Sequence, residues 1–486
     1  MAEQEGITVK KSENFSEWYT QVVQKAELAD IRYNVRGFLV HQPWSVRTMK
    51  IINDFLEEEL EKNGHEPVWF PSVIPESNLE KEKEHAKGFS AEVFWVTEAG
   101  SDHEKLEEKL ALRPTSETAM CPMFSIWIRS WRDLPLKTYQ NCQVWRHEPV
   151  TRPFLRGREF YWIEAHDVFA TKEDAEKQVE EDMKMVEDVI FKKCALPFLF
   201  FKRPEHDKFK GAVNTFAADS IMPDGRVIQL PSTHFLGQNF SKAFNIKFVD
   251  KDKSEKYVWQ TCFGPAVWRI FGALIAIHGD DKGLVLPPLV APLQAIIIPI
   301  FKTTEEKKAV IKKCNEVKDV LEKNQIRVRI DTREEFTPGW KYNYWELKGV
   351  PIRIEIGPRD VKKKQIVLVR RDLKEEMAVK DKMMIKRVEN LLNKIQEDLK
   401  KKAERYFKSF VSEAGDFKSL KKILEDKGGF VRANWCGSVE CADNIKAETN
   451  GGVIRGTLFN KKEKVFGKCI WCNKETKEVV YIAKQY

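Results

Sequence analysis

Apolar and polar positions divide the chain into three textures. From Ser45, apolar residues recur at helical spacing (Val46, Met49, Ile52, Phe55, Leu56 and Leu60), and Gly64 suits the stop of that helix. A short strand, PVWFP, follows to Pro71. A second amphipathic helix covers 172–193, with Ala175, Val179, Met183, Val186 and Ile190 on one face. Around these helices, 137–148, 158–169 and 226–229 alternate as strands of an antiparallel sheet do. The run LPPLVAP reads as a linker. After it come strand AIIIPI, a helix over 305–322, strand IRVRID, a helix over 339–348, and strands PIRIEI and QIVLVR. That order predicts a separate three-layer α/β unit with parallel pairing. A lysine-rich helical stretch, 375–407, leads to a third unit holding four closely grouped cysteines.

At 486 residues the chain exceeds one ordinary core, in line with that division. With 42% hydrophobic and 32% charged residues it reads as globular. The net charge of +8 is compatible with a polyanionic partner, although a solvated lysine-rich surface explains it equally. No run of about 18 apolar residues suggests a membrane span. The N-terminal MAEQEGITVKKSENF has no signal-peptide pattern. Five of the nine cysteines are scattered, at positions 121, 142, 194, 262 and 314, which favours a reducing cytoplasm over a disulfide framework.

Charge is concentrated in QVWRHEPVTRPFLRGREFYWIEAHDVF, 143–169. Alternation puts Arg158, Phe160, Trp162, Glu164 and His166 on one face of the second strand. In the first strand Arg146 and Glu148 share a face with Val144 and Cys142, and the loop between carries Arg152 and Arg156. Such a hairpin suits a nucleoside triphosphate, because arginine recognises phosphate bidentately and stacks on a base. Cross-strand salt bridges, worth ~0.2–1 kcal/mol each, would account for the charge alone.

Two further stretches shift that balance. In LRPTSETAM, Arg113, Thr115 and Glu117 stand just before an apolar helix, and Thr-x-Glu is not the spacing of a capping box. Alternation would set Thr115 and Glu117 side by side, suited to gripping an ammonium group. In WRIFGALIAIHGDDKG, Arg269 precedes an apolar helical run, where it could meet the far end of a triphosphate.

Together these segments resemble the three signature motifs of class II aminoacyl-tRNA synthetases, and in particular the prolyl-tRNA synthetases of archaeal and eukaryotic type. The first helix with VWFP resembles motif 1, its proline being Pro71; WRHE…FLRGREF resembles motif 2, and the Arg269 helix motif 3. RPTSET resembles the proline-binding loop, while THFLGQNFS and PGWKYNYWELKGVPIRIEIGPRD are closest to this subfamily. The likeness covers nearly the whole chain after about Ser12.

The resemblance implies a class II antiparallel-sheet catalytic domain (1–286), an α/β anticodon-binding domain (292–407) and a small C-terminal zinc-binding domain (408–486). It implies ATP-dependent ligation of L-proline to tRNA(Pro) through prolyl-adenylate, with release of AMP and diphosphate, by a cytoplasmic homodimer. Another class II synthetase (for serine, threonine, glycine or histidine) and a catalytically silent RNA-binding paralogue are the alternatives.

Residue by residue, Arg146 is implied to bind the α-phosphate and proline carboxylate, Glu148 the adenine, and Arg156 and Arg269 the outer phosphates. Thr115, Glu117 and Arg146 would grip the amino acid's charged ends, with Phe209, Trp162 and His234 around its ring. Glu164 and His166 would support the pocket, and Gln229 and Ser232 would meet ATP. Mg²⁺ is expected on the phosphates, held partly by ATP itself. The reaction needs no protein nucleophile, since positioning and charge neutralisation supply catalysis. Two stretches depart from the family's pattern: Leu230 and Pro231 replace two glycines, and Val267 and Trp268 replace threonines before Arg269. The interval 170–260 holds a helix and short strands, so no editing domain is expected there.

In the second unit Trp340, Lys341, Tyr344, Glu346, Lys348 and Arg353 form a compact polar and aromatic segment, suited to single-stranded anticodon bases. In the third, Cys436 and Cys441 form one pair and Cys469 and Cys472 another, as tetrahedral thiolate zinc requires. Four thiolates close the coordination sphere, which makes that Zn²⁺ structural. The resemblance also implies that the C-terminal carboxylate of Tyr486 folds back toward the active site.

Overall fold

The computed structural model describes residues 6–85, 92–459 and 461–486. Helix α1 (Pro43–Lys62) opens on a proline, whose missing N–H is no loss in a first turn, and buries Met49, Ile52, Leu56 and Leu60 as the spacing predicts. The PVWFP strand is shorter than expected: β1 is Glu66–Pro67 alone, parallel to β2 (Leu136–Trp145), with Glu66 opposite Thr138. Beyond it the Arg113 guanidinium takes the carbonyls of Phe70 and Pro71, at 2.9 and 3.1 Å, and draws the chain off the sheet. Helix α2 (Glu117–Trp127) follows the PTS segment.

Strands β2 and β3 (Glu159–Phe169) form the expected antiparallel hairpin, with Val144 opposite Phe160, Cys142 opposite Trp162 and Gln140 opposite Glu164. Helix α3 (Lys172–Val186) runs on into a π-helical stretch, Glu187–Lys193, and buries the predicted face. The catalytic sheet continues with β4 (Leu199–Lys202), β5 (Asn214–Ile221), β6 (Val227–Gly237) and β7 (Trp259–Gly264). Strand β6 extends well past the predicted 226–229. The register against β5 jumps from Asp219–Gln229 to Ala217–Ser232, so Leu230 and Pro231 sit in a bulge. Proline has no N–H for the ladder, and a bulge is where a sheet tolerates one. Helix α4 (Val267–His278) then carries Arg269 in its first turn.

The second unit comprises β8 (Ala295–Pro299), α5 (Thr304–Lys323), β9 (Val328–Ile330), α6 (Pro338–Leu347), β10 (Ile352–Ile356), β11 (Gln365–Arg370), β12 (Glu376–Lys380) and α7 (Met384–Ser409). Its sheet order is β9-β8-β10-β11-β12. The expected parallel pairing holds for the first three strands; β10–β11 and β11–β12 are antiparallel. Only the six-residue helix Pro358–Lys363 links β10 to β11, too little for a parallel crossover. The predicted helical stretch 375–407 likewise begins as strand β12. The run at 286–292 is no free tether: Arg327 donates to the carbonyls of Pro288, Leu289 and Ala291 at 2.9–3.0 Å. Arg371 binds Asp280, just after α4, through two hydrogen bonds of 2.8 and 2.7 Å, which docks this unit on the first.

The third unit contributes β13 (Val411–Glu413), β14 (Phe430–Trp435), β15 (Gly452–Leu458) and β16 (Glu478–Lys484). Strand β15 also pairs with β4, Thr457 opposite Lys202 and Leu458 opposite Phe201. The first and third units therefore share one eleven-stranded sheet among the described residues. No helix in this set is long and apolar enough to cross a membrane.

Helix α4 lies so close to the hairpin loop that a Cβ on Gly272 would stand 2.4 Å from the Phe154 carbonyl oxygen. Helix propensity alone would favour Gly272→Ala by about 1 kcal/mol. The clash is with backbone, so the expected outcome is the opposite, a loss of ~1–3 kcal/mol. A urea midpoint at or above that of the unmodified chain would show that the helix has room to move.

Candidate active site

A cavity of about 460 Å³ opens where the hairpin face meets β6, β7 and the starts of α2 and α4. Its lining includes all the residues expected to hold the amino acid: Thr115, Glu117, Arg146, Trp162, Glu164, His166, Phe209 and His234. Of those expected for the nucleotide, Arg146, Glu148, Gln229, Ser232 and Arg269 line it too. Arg156 is not in the lining and connects through Glu148, its Nε 2.7 Å from Oε2.

Thr115 and Glu117 do meet, but through a helix start rather than strand alternation. Glu117 is the first residue of α2, and Thr115 Oγ1 donates to its Oε2 at 2.6 Å. The hydroxyl's lone pairs stay available, so the pair can accept twice from an ammonium group. The Cys262 thiol donates to the other oxygen at 3.3 Å. Ligand atoms of Glu117, His166 and Cys262 lie within 4.8 Å of one another, close enough for a metal ion. Burial, then the Glu117 charge, pushes the Cys262 thiol well above its ordinary range. A metal would need the thiolate; an ammonium needs only the carboxylate, and suits this donor set better.

Glu164 lies under the pocket. It accepts from Ser116 Oγ, from Gln140 Nε2 at 2.9 Å and from the Cys142 thiol at 3.3 Å, with His166 Nε2 3.3 Å from its second oxygen. Burial works against its charge, but the bonds from His166 and Ser116 and the charges of His166 and Arg113 outweigh this and hold it below the usual range. Burial also opposes charge on His166; the bond to Glu164 and the charges of Glu117, Glu164 and Asp167 outweigh it and raise its pKa.

The walls are cationic and aromatic. Arg146 Nε donates to the Pro114 carbonyl at 3.1 Å, and its guanidinium lies 5.2 and 5.5 Å from the Phe160 and Trp162 rings. The Phe209 and His234 rings are 5.1 Å apart. Burial, reinforced by His166, Arg203 and Arg146, drives His234 down to about 3, so it is neutral. Its ring nitrogens meet Thr215 Oγ1 at 2.9 Å and Ser232 Oγ at 3.2 Å. Arg269 Nη1 donates to the Gln229 carbonyl at 3.1 Å. Burial and the nearby Arg146 lower Arg269 to about 10, which leaves it protonated at neutral pH.

Arg203, Asp207, Lys208, Thr215 and Cys262 also line the cavity and were missed from the sequence. The one available signal was the charged run RPEHDK between apolar strands. Of the departures from the family's pattern, Leu230 faces the cavity from its bulge. Trp268 instead backs the hairpin loop, its Nε1 donating to His41 Nε2 at 2.6 Å and its ring 5.6 Å from Phe154.

The residues expected at the anticodon divide. Glu346 and Arg353 line a second cavity of about 290 Å³ with Tyr342 and Arg371. Trp340 stacks between Phe336 and Tyr344, with centroids 3.8 and 5.1 Å away. Lys341 and Lys348 are buried: the first binds the Asp331 carbonyl at 3.1 Å, the second the Ala26 carbonyl at 3.0 Å and Glu27 at 2.6 Å. In the third unit the Cys436 sulfur is 3.6 Å from Cys441 and 3.7 Å from Cys472, and all four cysteines can reach one point. Zinc–sulfur bonds of about 2.3 Å in a tetrahedron give edges near 3.8 Å, so the donor set fits Zn²⁺. Tyr486 lies by the hairpin loop, its ring 5.4 Å from the Arg152 guanidinium and its hydroxyl donating to Asp224 at 2.5 Å.

Family models match in the same order: the class II core domain of the tRNA synthetases for G, H, P, S and T over 94–278, an anticodon-binding domain over 294–397, and the prolyl-tRNA synthetase C-terminal domain over 417–486. Fold, cavity and these matches define a class II aminoacyl-tRNA synthetase. The chain is 56% identical to a proline–tRNA ligase of Thermofilum pendens over 486 residues, the whole of both, and 43% identical to that of Pyrococcus abyssi over 98% of each. A Giardia lamblia prolyl-tRNA synthetase, solved in complex with prolyl-adenylate, superposes with a TM-score of 0.94 at 36% identity, covering 99% of this chain and 100% of its own. The chain belongs to the proline–tRNA ligase family.

Because His166 is raised above its ordinary 6.5 by the fold, its charged form stabilises the folded state. That contribution is fully present below about pH 6.5 and fades as pH rises through the folded pKa. The urea midpoint of the unmodified chain should exceed that of His166→Gln most below about pH 6.5, with the gap closing as pH rises above it. A gap that widens with pH would mean that His166 is neutral in the fold.

Proposed function

We propose that the cavity activates L-proline with ATP and that the chain then transfers the prolyl group to tRNA(Pro). A carboxylate oxygen of proline attacks the α-phosphorus in line and diphosphate leaves. The 3′-terminal hydroxyl of tRNA then attacks the adenylate carbonyl and AMP leaves. The observation that carries this reading is the cavity's polarity. The Thr115–Glu117 pair offers acceptors for the ammonium, Phe209, Trp162 and neutral His234 stand near, and Arg146 and Arg269 answer the carboxylate and phosphates. Glu148 and Gln229, with Ser232 and Arg156, would receive the nucleotide, and Mg²⁺ would accompany its phosphates.

In this reading the second cavity, with Glu346 and Arg353, receives anticodon bases, and stacked Trp340 offers them a π face. Zn²⁺ held by Cys436, Cys441, Cys469 and Cys472 supplies folding energy to the C-terminal unit. A homodimer is supported by the apolar surface beside edge strand β1, where Trp69 is 91% exposed and Trp127 43%. The enzyme works in the cytoplasm without an editing domain, since α3 and β4–β7 occupy the interval between the hairpin and α4.

Diphosphate exchange with each of the twenty amino acids tests the substrate, and activation of threonine without proline would overturn the reading. Arg146→Ala should slow proline-dependent exchange by ~10²–10³-fold, since one preorganised donor to the phosphate is lost; a near wild-type rate would remove Arg146 from the chemistry. Cys441→Ser should lose bound zinc and loosen the C-terminal unit, read by metal analysis and protease sensitivity. Purified unmodified chain without zinc would overturn the metal assignment.

A further inference from the structure

One buried charge network joins the C-terminal unit to the cavity. Asp219, on β5, is fully buried between two arginines. Arg203 Nη2 and Nη1 reach its carboxylate at 2.6 and 2.8 Å, and Arg455 Nε and Nη2 reach it at 2.7 and 3.2 Å. Arg203 also donates to the Arg455 carbonyl at 2.8 Å and to Gln229 Oε1 at 3.0 Å. The remaining Arg455 amino group binds Gln485 Oε1, beside the C-terminus. Arg203 and Gln229 line the cavity, whereas Arg455 lies on β15 of the zinc-cluster unit.

The path of β15 explains this placement. It pairs with β16 from Gly452 to Gly456 and with β4 at Thr457 and Leu458, and its register against β16 shifts between Ile454 and Gly456. Arg455 therefore sits in a bulge, the device that re-aims a side chain. Gly456 has φ +126°, and a Cβ there would fall 2.0 Å from the Lys202 carbonyl oxygen, so only glycine lets the strands meet. Across β5–β6, Asp219 faces Gln229 beside the second bulge, at Leu230–Pro231.

The consequence lies in Gln229. Arg203 takes its amide oxygen, leaving the NH₂ end for a ligand, and Arg269 takes its backbone carbonyl. Arg203 holds that position because Asp219 and the Arg455 carbonyl take the other N–H groups of Nη1 and Nη2. We infer that Arg455 and Asp219 are positioning residues for the nucleotide end of the cavity: through Arg203 they set the Gln229 amide, so ATP binding requires the C-terminal unit to be docked. The inference rests on the assignment of Gln229 to ATP in the proposed function.

The test uses the full-length chain with its zinc content measured. In diphosphate exchange, Arg455→Met should raise KM for ATP about tenfold, the loss expected when a charge-assisted hydrogen bond is no longer held. KM for proline should stay within about twofold. Gln229→Met should raise the ATP KM similarly. The double variant should be no worse than Gln229→Met, because both changes act on one contact. A merely structural role would lower thermal stability without this KM split. A folded, zinc-loaded Arg455→Met with wild-type KM for ATP overturns the inference, as do effects that multiply in the double variant. An ATP KM untouched by Gln229→Met removes that residue from the ATP site, and the inference with it. Should Arg455→Met fail to fold, Arg455→Lys keeps the charge without the two-pronged hold. A raised ATP KM there supports the inference, and a wild-type one overturns it.

Discussion

Glu164 is buried on the cavity face of β3, where a carboxylate deprived of partners would cost several kcal/mol, about 3–5 when one member of a buried pair is lost. Its surroundings are therefore the groups that can donate to it: Ser116 from the start of α2, Gln140 and Cys142 from β2, and His166 from its own strand. Gln140 in turn accepts from the Phe70 amide at 3.0 Å, which ties in the segment after β1. Three distant stretches are thus gathered round one charge. Thr115 and Glu117, on either side of Ser116, are brought to the cavity by that same attachment.

The cavity built on this base carries both signs of charge. Glu117, Glu148 and Glu164 line it together with Arg146, Arg203 and Arg269. Arg146 and Arg269 repel each other enough to lower Arg269, on top of its burial. An anionic ligand relieves that repulsion, and burial strengthens its attraction relative to water. A zwitterionic amino acid beside a polyphosphate matches both signs of charge.

The peripheral units dock through shared apolar core, Trp345 and Leu347 packing into the first unit's cluster and Phe430 and Tyr481 against Phe201, with ionic contacts added to it. Arg371 grips Asp280 at the end of α4, whose first turn holds Arg269. Arg371 also donates to the Glu346 carbonyl at 2.7 Å, so the second cavity and the arginine helix share one guanidinium. On the opposite flank β15 extends the catalytic sheet itself. The first attachment reaches the helix that carries Arg269, and the second reaches the strand that ends just before Arg203.

Much of the site was legible from residues alone. The period-two pattern in 158–169 placed Phe160, Trp162, Glu164 and His166 on one face, the helical period placed α1 and α3, and an apolar run marked α4. The cysteine spacing marked the four-cysteine cluster, and resemblance to a known family assigned roles to Phe209 and Gln229 that no local pattern carried. Other features had no local signal. Thr115 and Glu117 meet because a helix begins between them, β10 and β11 are antiparallel because their link is too short, and the segment after β1 is held by Arg113 at the carbonyls of Phe70 and Pro71. The network of Arg203, Asp219 and Arg455 joins residues up to 252 positions apart. Periodicity reports which face a side chain takes within its own element, a matter of backbone geometry that neighbours scarcely alter. Which buried charge finds which partner depends on how the elements stack, because only the folded interior excludes the water that would otherwise solvate each group separately.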